Sequence, residues 1–155
     1  EDTGMIDAFA FTNFANKVKE LYDIVIFDFP AGIDFTLYSH LPRHTIVLAV
    51  ANADPVSVRD AAAVCDKLPF DSLHTRLIVN KFYYKPMFKG IYENIDSIID
   101  RSGFRLLGLV PESEELLYLS TKHKIKAKGR AMAAFMRITD RLLGIYQALP
   151  KPKKI

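Results

Sequence analysis

Four short apolar runs, separated by amphipathic segments, set the pattern of this sequence. The runs are rich in β-branched and aromatic residues, which is typical of strands buried on both faces of a parallel sheet. They cover residues 24–27, 45–51, 75–80 and 105–110. Apolar residues at three- and four-residue steps predict helices over residues 5–21, 55–68, 92–101 and 130–149. Strands and helices that alternate in this way predict an α/β fold in three layers, with helices flanking a parallel sheet.

Prolines and a capping residue mark the ends of several predicted elements. Asp54 followed by Pro55 is typical of a helix N-cap with proline at the first helical position. Pro42 ends a segment, residues 35–41, that fits either a short helix or an irregular crossing. We see no repeat and no interior linker, and we predict one domain over residues 1–149 with a short basic tail at 150–155 that we do not expect to be ordered.

Composition excludes several classes of protein. The chain has 155 residues, half of them apolar and a quarter charged, which fits one globular domain. Its net charge of +3 is too small and too scattered to indicate a nucleic-acid partner. A single cysteine, Cys65, excludes an intrachain disulfide, and no Cys/His spacing resembles a zinc site. We see neither a signal peptide nor an eighteen-residue apolar run. We therefore expect a cytoplasmic chain, and its first residue, Glu rather than Met, suggests a piece of a longer protein.

An acidic residue directly follows the first apolar run. Open parallel sheets bind ligands at the carboxyl ends of their strands, so Asp28 is placed where a carboxylate can hold hydrated Mg²⁺ beside a polyphosphate. Gly32 follows, where a residue without Cβ lets a backbone N–H approach a terminal phosphate, and Pro30 stiffens the turn between them. The alternative is that Asp28 merely ends a core strand before an ordinary turn.

Residues 22–33, Tyr-Asp-Ile-Val-Ile-Phe-Asp-Phe-Pro-Ala-Gly-Ile, resemble the Walker B and switch II segment of the MinD/ParA family of deviant-Walker ATPases. The MinD branch of that family is the most similar, although it typically has Ser where this chain has Phe29. Further similar motifs follow in the family's order. They are Pro-Val-Ser-Val-Arg-Asp at 55–60, Leu-Ile-Val-Asn-Lys at 77–81, Leu-Gly-Leu-Val-Pro-Glu at 107–112 and Arg-Leu-Leu-Gly at 141–144.

The resemblance implies a P-loop NTPase fold of the SIMIBI type that binds ATP and Mg²⁺. Asp28 would hold the Mg²⁺-bound water, and Gly32, after Pro30, would offer its amide to the γ-phosphate. Asn80 would pair with the adenine edge, whereas the alternative is that it only caps a turn. A further pair, Pro111 and Glu112, would border the base or, alternatively, form an ordinary turn from strand to helix.

One family motif is missing from this sequence. None of the seven glycines is followed by lysine, so the Gly-Lys-Thr phosphate loop is absent. We therefore interpret the chain as the C-terminal part of a MinD-like ATPase, without ATP hydrolysis of its own. The alternative is a non-catalytic pseudo-ATPase that serves as a protein-interaction module. A receiver domain is a weaker third interpretation, because the acidic pair after a first strand is absent.

The resemblance also implies partners and a location. Relatives form an ATP-dependent homodimer that acts in selecting the division site or in similar spatial regulation. The helix with Arg59 and Asp60 would face a regulatory protein partner, or this pair would simply be exposed. The family's location is cytoplasmic and peripheral to the inner face of the cell membrane. Here Pro150 and Pro152 forbid a terminal amphipathic helix, so we expect weak or no membrane binding by this chain.

Overall fold

The computed structural model describes residues 7–29, 35–42, 44–69, 73–83, 89–90, 94–114, 116 and 129–150, with the backbone alone for 35–37. Its helices are α1 (Ala8–Leu21), a 3₁₀ helix (Phe35–His40), α2 (Pro55–Cys65), α3 (Ile95–Ser102) and α4 (Arg130–Leu142). Its strands are β1 (Val47–Asn52), β2 (Thr75–Phe82) and β3 (Arg105–Pro111). The described helices include none that is long and apolar enough to cross a membrane.

The three strands form a parallel sheet in the order β1-β2-β3, which confirms the predicted fold class. One face of the sheet packs on α2 and α3 through a core that includes Leu77, Val79 and Phe104. The other face packs on α4 through Leu107 and Ile138. The sheet therefore lies between two helical layers, as the alternating pattern predicts.

The prediction of a buried strand at residues 24–27 is wrong for this structure. Residues 24–29 form neither helix nor strand, and Ile24 and Ile26 are 71% and 85% exposed. A strand in a parallel sheet needs a neighbouring strand for its N–H and C=O groups. Because no strand in the described part of the chain pairs with this segment, its apolar residues stay outside the sheet.

Phe29 belongs to a small aromatic cluster. Its ring centroid lies 6.0 Å from that of Phe11 in α1 and 5.6 Å from that of Tyr38 in the 3₁₀ helix. Phe27 joins the same cluster in an edge-on contact with Phe11 at 5.3 Å. Aromatic pairs at such distances stabilise a fold by more than the burial of their apolar surface alone. Phe29, the residue that departs from the family motif, therefore packs the segment around Asp28 against α1.

A β-bulge near the end of β2 changes which side chains face the core. Alternate residues of β2 are buried as far as Val79, but the next buried residue is Phe82 rather than Lys81. Val79 pairs with Leu109 and Phe82 with Pro111, so two residues of β2 stand opposite one of β3. Lys81 accommodates the extra residue with a φ of 48°. The bulge thus places the Phe82 ring in the core and leaves the Lys81 side chain exposed.

The last helix is shorter than predicted. It ends at Leu142 because Gly144 adopts a φ of 80°. The N–H of Gly144 donates to the carbonyl of Arg141 at 3.1 Å, and the N–H of Ile145 donates to the carbonyl of Asp140 at 2.8 Å. These two bonds form a Schellman motif, which ends a helix at a glycine. The prediction of a helix as far as residue 149 is therefore wrong.

Arg141 joins the end of α4 to the sheet. Its guanidinium donates to the carbonyl of Leu107 in β3, and to the carbonyl of Gln147 at 2.9 and 2.7 Å. The side-chain amide of Gln147 donates to the carboxylate of Asp140 at 2.7 Å. One side chain therefore ties β3, α4 and the segment after the helix together.

The bulge predicts an unusual response to glycine at position 81. Lys81→Gly should raise the free energy of unfolding by about 0.5–1 kcal/mol, because glycine tolerates a positive φ and its entropic cost is smaller than the strain removed. Lys81→Val should lower it by about 1–2 kcal/mol, because a β-branched residue disfavours this conformation. Urea unfolding monitored by circular dichroism measures both. As a control, Lys81→Ala removes the ammonium but keeps the strain of a positive φ. If Lys81→Gly were less stable than the unmodified chain, the assigned backbone conformation would be contradicted.

Close approach of α4 to β3 predicts that Gly108 cannot be enlarged freely. A Cβ at this position would lie 2.4 Å from Cγ1 of the buried Ile138. Gly108→Ala should therefore lower the free energy of unfolding by about 1–3 kcal/mol, measured by chemical denaturation. The double variant with Ile138→Ala should lose less than the sum of the two single variants, because the shortened side chain leaves room. Additive losses would show that the two residues do not meet.

Candidate functional site

The carboxyl ends of the strands bring polar residues to one edge of the sheet. Asn52 ends β1 and pairs in register with Asn80 near the end of β2, and both are half-buried. Paired residues on neighbouring strands direct their side chains to the same face. Open parallel sheets bind ligands at this edge. Sequence reasoning found Asn80 but missed Asn52, although each follows an apolar run directly.

Pro111 and Glu112 lie at the same edge, next to Phe82, which follows Asn80 by two residues. Pro111 pairs with Phe82, and the N–H of Glu112 donates to the carbonyl of Phe82 at 3.0 Å. The side chains of Glu112 and Lys81 are exposed. The chain therefore carries an amide, a carboxylate and an ammonium near the end of β2, and such groups can offer donors and acceptors to a polar planar ligand. The binding role of these residues stays a prediction.

Asp54 is another acid near this edge, but its carboxylate is already committed. It follows β1 and caps α2 as predicted, accepting hydrogen bonds from the N–H groups of Val56 and Ser57 at 3.1 and 2.9 Å. The hydroxyl of Ser57 donates to it at 2.8 Å. The hydrogen bond from the backbone of Ser57, above all, lowers the pKa of Asp54. We therefore assign Asp54 to the helix cap and not to a ligand site.

Asp28 lies in the segment held by the aromatic cluster and not in a strand of the sheet. Its side chain is exposed and has no hydrogen-bond or ion-pair partner within the described ranges. Pro30 and Gly32, which belong to the same predicted site, lie outside the described residues. No group of three or more His, Cys, Asp or Glu side chains that could hold a metal occurs in the described part of the chain. The structure therefore places Asn80, Pro111 and Glu112 at one edge of the sheet, whereas none of the described contacts joins Asp28 to them.

The helix with the predicted partner surface presents a charged pair. Arg59 and Asp60 form an ion pair at 3.1 Å on the outer side of α2, with side chains 71% and 65% exposed. An exposed pair of this kind adds little to stability. Val58 and Ala61 of the same helix are buried against the sheet. The ion pair is therefore accessible to a partner protein, although the stability of the fold does not depend on the pair.

The sequence matches no protein-family model, but it is similar to individual proteins. It is 28% identical over 137 residues to the septum site-determining protein MinD of Bacillus subtilis (strain 168), which covers 85% of this chain and 51% of that protein. It is 23% identical over 154 residues to the protein of the same name from Helicobacter pylori, which covers 93% of this chain and 58% of the relative. The chain thus spans about half the length of the curated relatives that it matches.

Solved structures show the same fold. MinD from Aquifex aeolicus matches with a TM-score of 0.81 at 24% identity, covering 94% of this chain and 64% of that one. A MinC:MinD complex from the same organism gives 0.79 at 23% identity, with 94% and 63% covered. MinD from Pyrococcus horikoshii, complexed with Mg-ADP, gives 0.66 at 15% identity, with 88% and 56% covered. These likenesses confirm the resemblance found in the sequence: this chain is similar to MinD proteins over most of its length, and it has the parallel α/β fold of the MinD structures.

Proposed function

We propose that this chain is the C-terminal part of a MinD-like ATPase that binds ATP with Mg²⁺ and acts in selecting the cell-division site or in similar spatial regulation. The observation that carries the proposal is that Asn80 near the end of β2 and Pro111 and Glu112 at the end of β3 lie at the same carboxyl edge of the sheet. This edge is where α/β folds bind nucleotides. The P. horikoshii relative, which is complexed with Mg-ADP, supports a nucleotide ligand.

Asn80 is the residue that we expect to recognise the base. Its amide offers one acceptor and two donors, which suit the acceptor and donor on the adenine edge. The half-buried side chain lies beside the bulge that Phe82 anchors in the core. Pro111 and Glu112 would border the base through backbone groups and packing. Guanine reverses part of this donor and acceptor pattern, so a fixed amide would favour ATP over GTP.

Asp28 fits a magnesium site that is completed by phosphate oxygens. Proteins hold Mg²⁺ through one or two carboxylates plus waters and phosphates, so a cluster of ligands is not required. An exposed carboxylate without a partner among the described side chains is free for this role. When bound, Mg²⁺ would neutralise charge on the phosphates. Gly32, after Pro30, would offer its backbone N–H to the γ-phosphate.

Hydrolysis would need a phosphate loop that this sequence does not contain. No glycine is followed by lysine, so the backbone donors and the lysine that cradle the β- and γ-phosphates are missing. Losing such preorganised contacts costs several kcal/mol in binding or in the barrier. We therefore assign ATP hydrolysis to a longer polypeptide that includes this chain, and none to the chain alone.

Partners and location follow from the same proposal. The parent would form a homodimer when ATP binds, and α2 with Arg59 and Asp60 would face a regulatory protein. The A. aeolicus relative, solved as a MinC:MinD complex, supports a protein partner. The parent would work in the cytoplasm, at the inner face of the cell membrane.

Because the phosphate loop is missing from this sequence, we predict weak nucleotide binding by the isolated chain. Calorimetric titration with Mg²⁺-ATP should give a dissociation constant above about 1 µM, because tighter binding needs more than about 8 kcal/mol of binding free energy. Titration with ADP serves as the control: without a phosphate loop, removal of the γ-phosphate should change the affinity little. Submicromolar binding of ATP would refute the view that the phosphate site is incomplete.

A chimera in which A. aeolicus MinD supplies the phosphate loop separates the roles of two site residues. Asn80→Ala should reduce the preference for ATP over GTP roughly tenfold while phosphate binding persists, because only base contacts are lost. Asp28→Ala should instead remove the dependence of ATP affinity on Mg²⁺. Asp100→Ala, at an exposed position of α3, is the matched control. Unchanged affinity, selectivity and metal dependence in both site variants would refute the assignments.

A further inference from the structure

Asn52 and Asn80 stand side by side at the carboxyl edge of the sheet. They form the last of six register pairs between β1 and β2, and it is the only one of the six with a polar side chain on both strands. Ala51 and Val79, which precede them, belong to the core with α2 and α3, so alternation places both asparagines on the opposite face. The two amides therefore lie on the face of the sheet that packs on α4 at β3.

Neither amide has a structural task in the described part of the chain. The turn after β1 is already fixed by Asp54, which caps α2. The side chains of Asn52 and Asn80 are half-buried, yet they have no hydrogen-bond partner among the described residues. Polar groups that lose contact with water need such partners. Both amides are therefore free to bind each other and a ligand.

The backbone holds both residues in place. Ala51 and Ala53, on either side of Asn52, are buried, and so is Val79 before Asn80. Neighbouring strands lie about 4.8 Å apart, a spacing at which asparagines in parallel register form ladders of hydrogen-bonded amides. The amide of Asn52 can therefore reach the amide of Asn80 without movement of the backbone.

Recognition of a base by Asn80 requires that its amide point one way. The oxygen and the nitrogen of a carboxamide exchange places when the group turns by about 180°, and the turned amide offers the opposite order of donor and acceptor. No hydrogen bond among the described residues fixes the orientation of the Asn80 amide. An amide that turns freely would suit the Watson–Crick edge of adenine in one orientation and that of guanine in the other, so it would discriminate poorly between them.

We propose that Asn52 is a positioning residue of this site: when a nucleotide covers the edge, its amide hydrogen-bonds to the amide of Asn80 and fixes which atom of Asn80 faces the base. The inference rests on the proposed function, because it concerns the adenine ligand assigned to Asn80 there. The bond between the amides leaves Asn80 at least one oxygen lone pair and one N–H for the base. The preference for ATP over GTP therefore depends on both residues together.

The test titrates the full 155-residue chain with Mg²⁺-ATP and, separately, with Mg²⁺-GTP, followed by nuclear magnetic resonance. Ligand at about 10 mM nearly saturates even a site with a dissociation constant of about 1 mM, so weak binding is measurable. In the unmodified chain, ATP should bind more tightly than GTP. Bound ATP should also slow the exchange of the Asn80 side-chain amide protons with water. This second measurement needs no variant, so it holds even if a variant fails to fold.

Substitution of Asn52 tests its role directly. Asn52→Ala should reduce the preference for ATP over GTP roughly three- to tenfold and abolish the slowed exchange at Asn80, because one hydrogen bond between neutral groups is lost. Asn52→Gln keeps the amide and should recover most of the preference. Leu48→Ala, on the same strand and the same face, is the matched control and should leave the preference unchanged. Circular dichroism checks that each variant folds.

A double-mutant cycle distinguishes positioning from direct binding. If Asn52 acts through Asn80, adding Asn52→Ala to Asn80→Ala should lower the preference no further. Losses that add would show that Asn52 acts on its own and would overturn the proposal.

Three other results would also overturn it. They are an unchanged preference in Asn52→Ala, equal weakening of ATP and GTP by that variant, and no slowing of exchange at Asn80 in the unmodified chain with ATP bound. If the unmodified chain bound no ATP at all, the proposed site would fail as a whole and this inference with it. Failure of the positioning role is therefore distinct from failure of the proposed function.

Discussion

The backbone groups of a strand need a partner on each side, and this requirement governs how the sheet is built. β2 has a partner on both edges, and its Leu77 and Val79 are fully buried. β1 has a partner on one edge only, and its side chains are partly exposed on one face. The apolar segment at residues 24–29 pairs with no described strand and exposes its isoleucines. Loss of pairing therefore goes with loss of burial in β1 and in residues 24–29, whereas β3, which is also paired on one edge only, stays buried because α4 packs on it.

The same sheet links the core to the candidate site through one irregularity. Burying Phe82 instead of Lys81 requires the bulge, and the bulge holds the end of β2 against Glu112. Residues held in strained backbone conformations persist only where the surroundings favour them strongly. Here the buried Phe82 ring, at 2% exposure, is the stabilising contact. A change at Lys81 would accordingly affect both stability and the geometry of the polar residues around Asn80.

Polar contacts fix the ends of elements that packing alone would leave loose. Asp54 caps α2 immediately after β1, so the turn at the carboxyl edge has a defined shape. Arg141 binds the carbonyl of Leu107 and orients α4 across β3, where Gly108 leaves space for Ile138. Both side chains are half-buried, and polar groups that lose contact with water need the hydrogen-bond partners that they have here. The helical layers are therefore held in place by hydrogen bonds as well as by apolar packing.

The sequence by itself determined the fold class, three of the strands, the cap at Asp54 and the position of Pro111 at a strand end, because hydrophobic period and turn residues are local signals. It predicted that β2 would end at Asn80, whereas the bulge carries the strand on to Phe82. It could not show that residues 24–27 would remain outside the sheet. A buried strand and an unpaired apolar segment have the same hydrophobic pattern, and only the presence of a neighbouring strand distinguishes them. The bulge at Lys81 and the pairing of Asn52 with Asn80 depended on strand register. Register is set by contacts between residues far apart in the chain, so only the tertiary structure decided which polar residues meet.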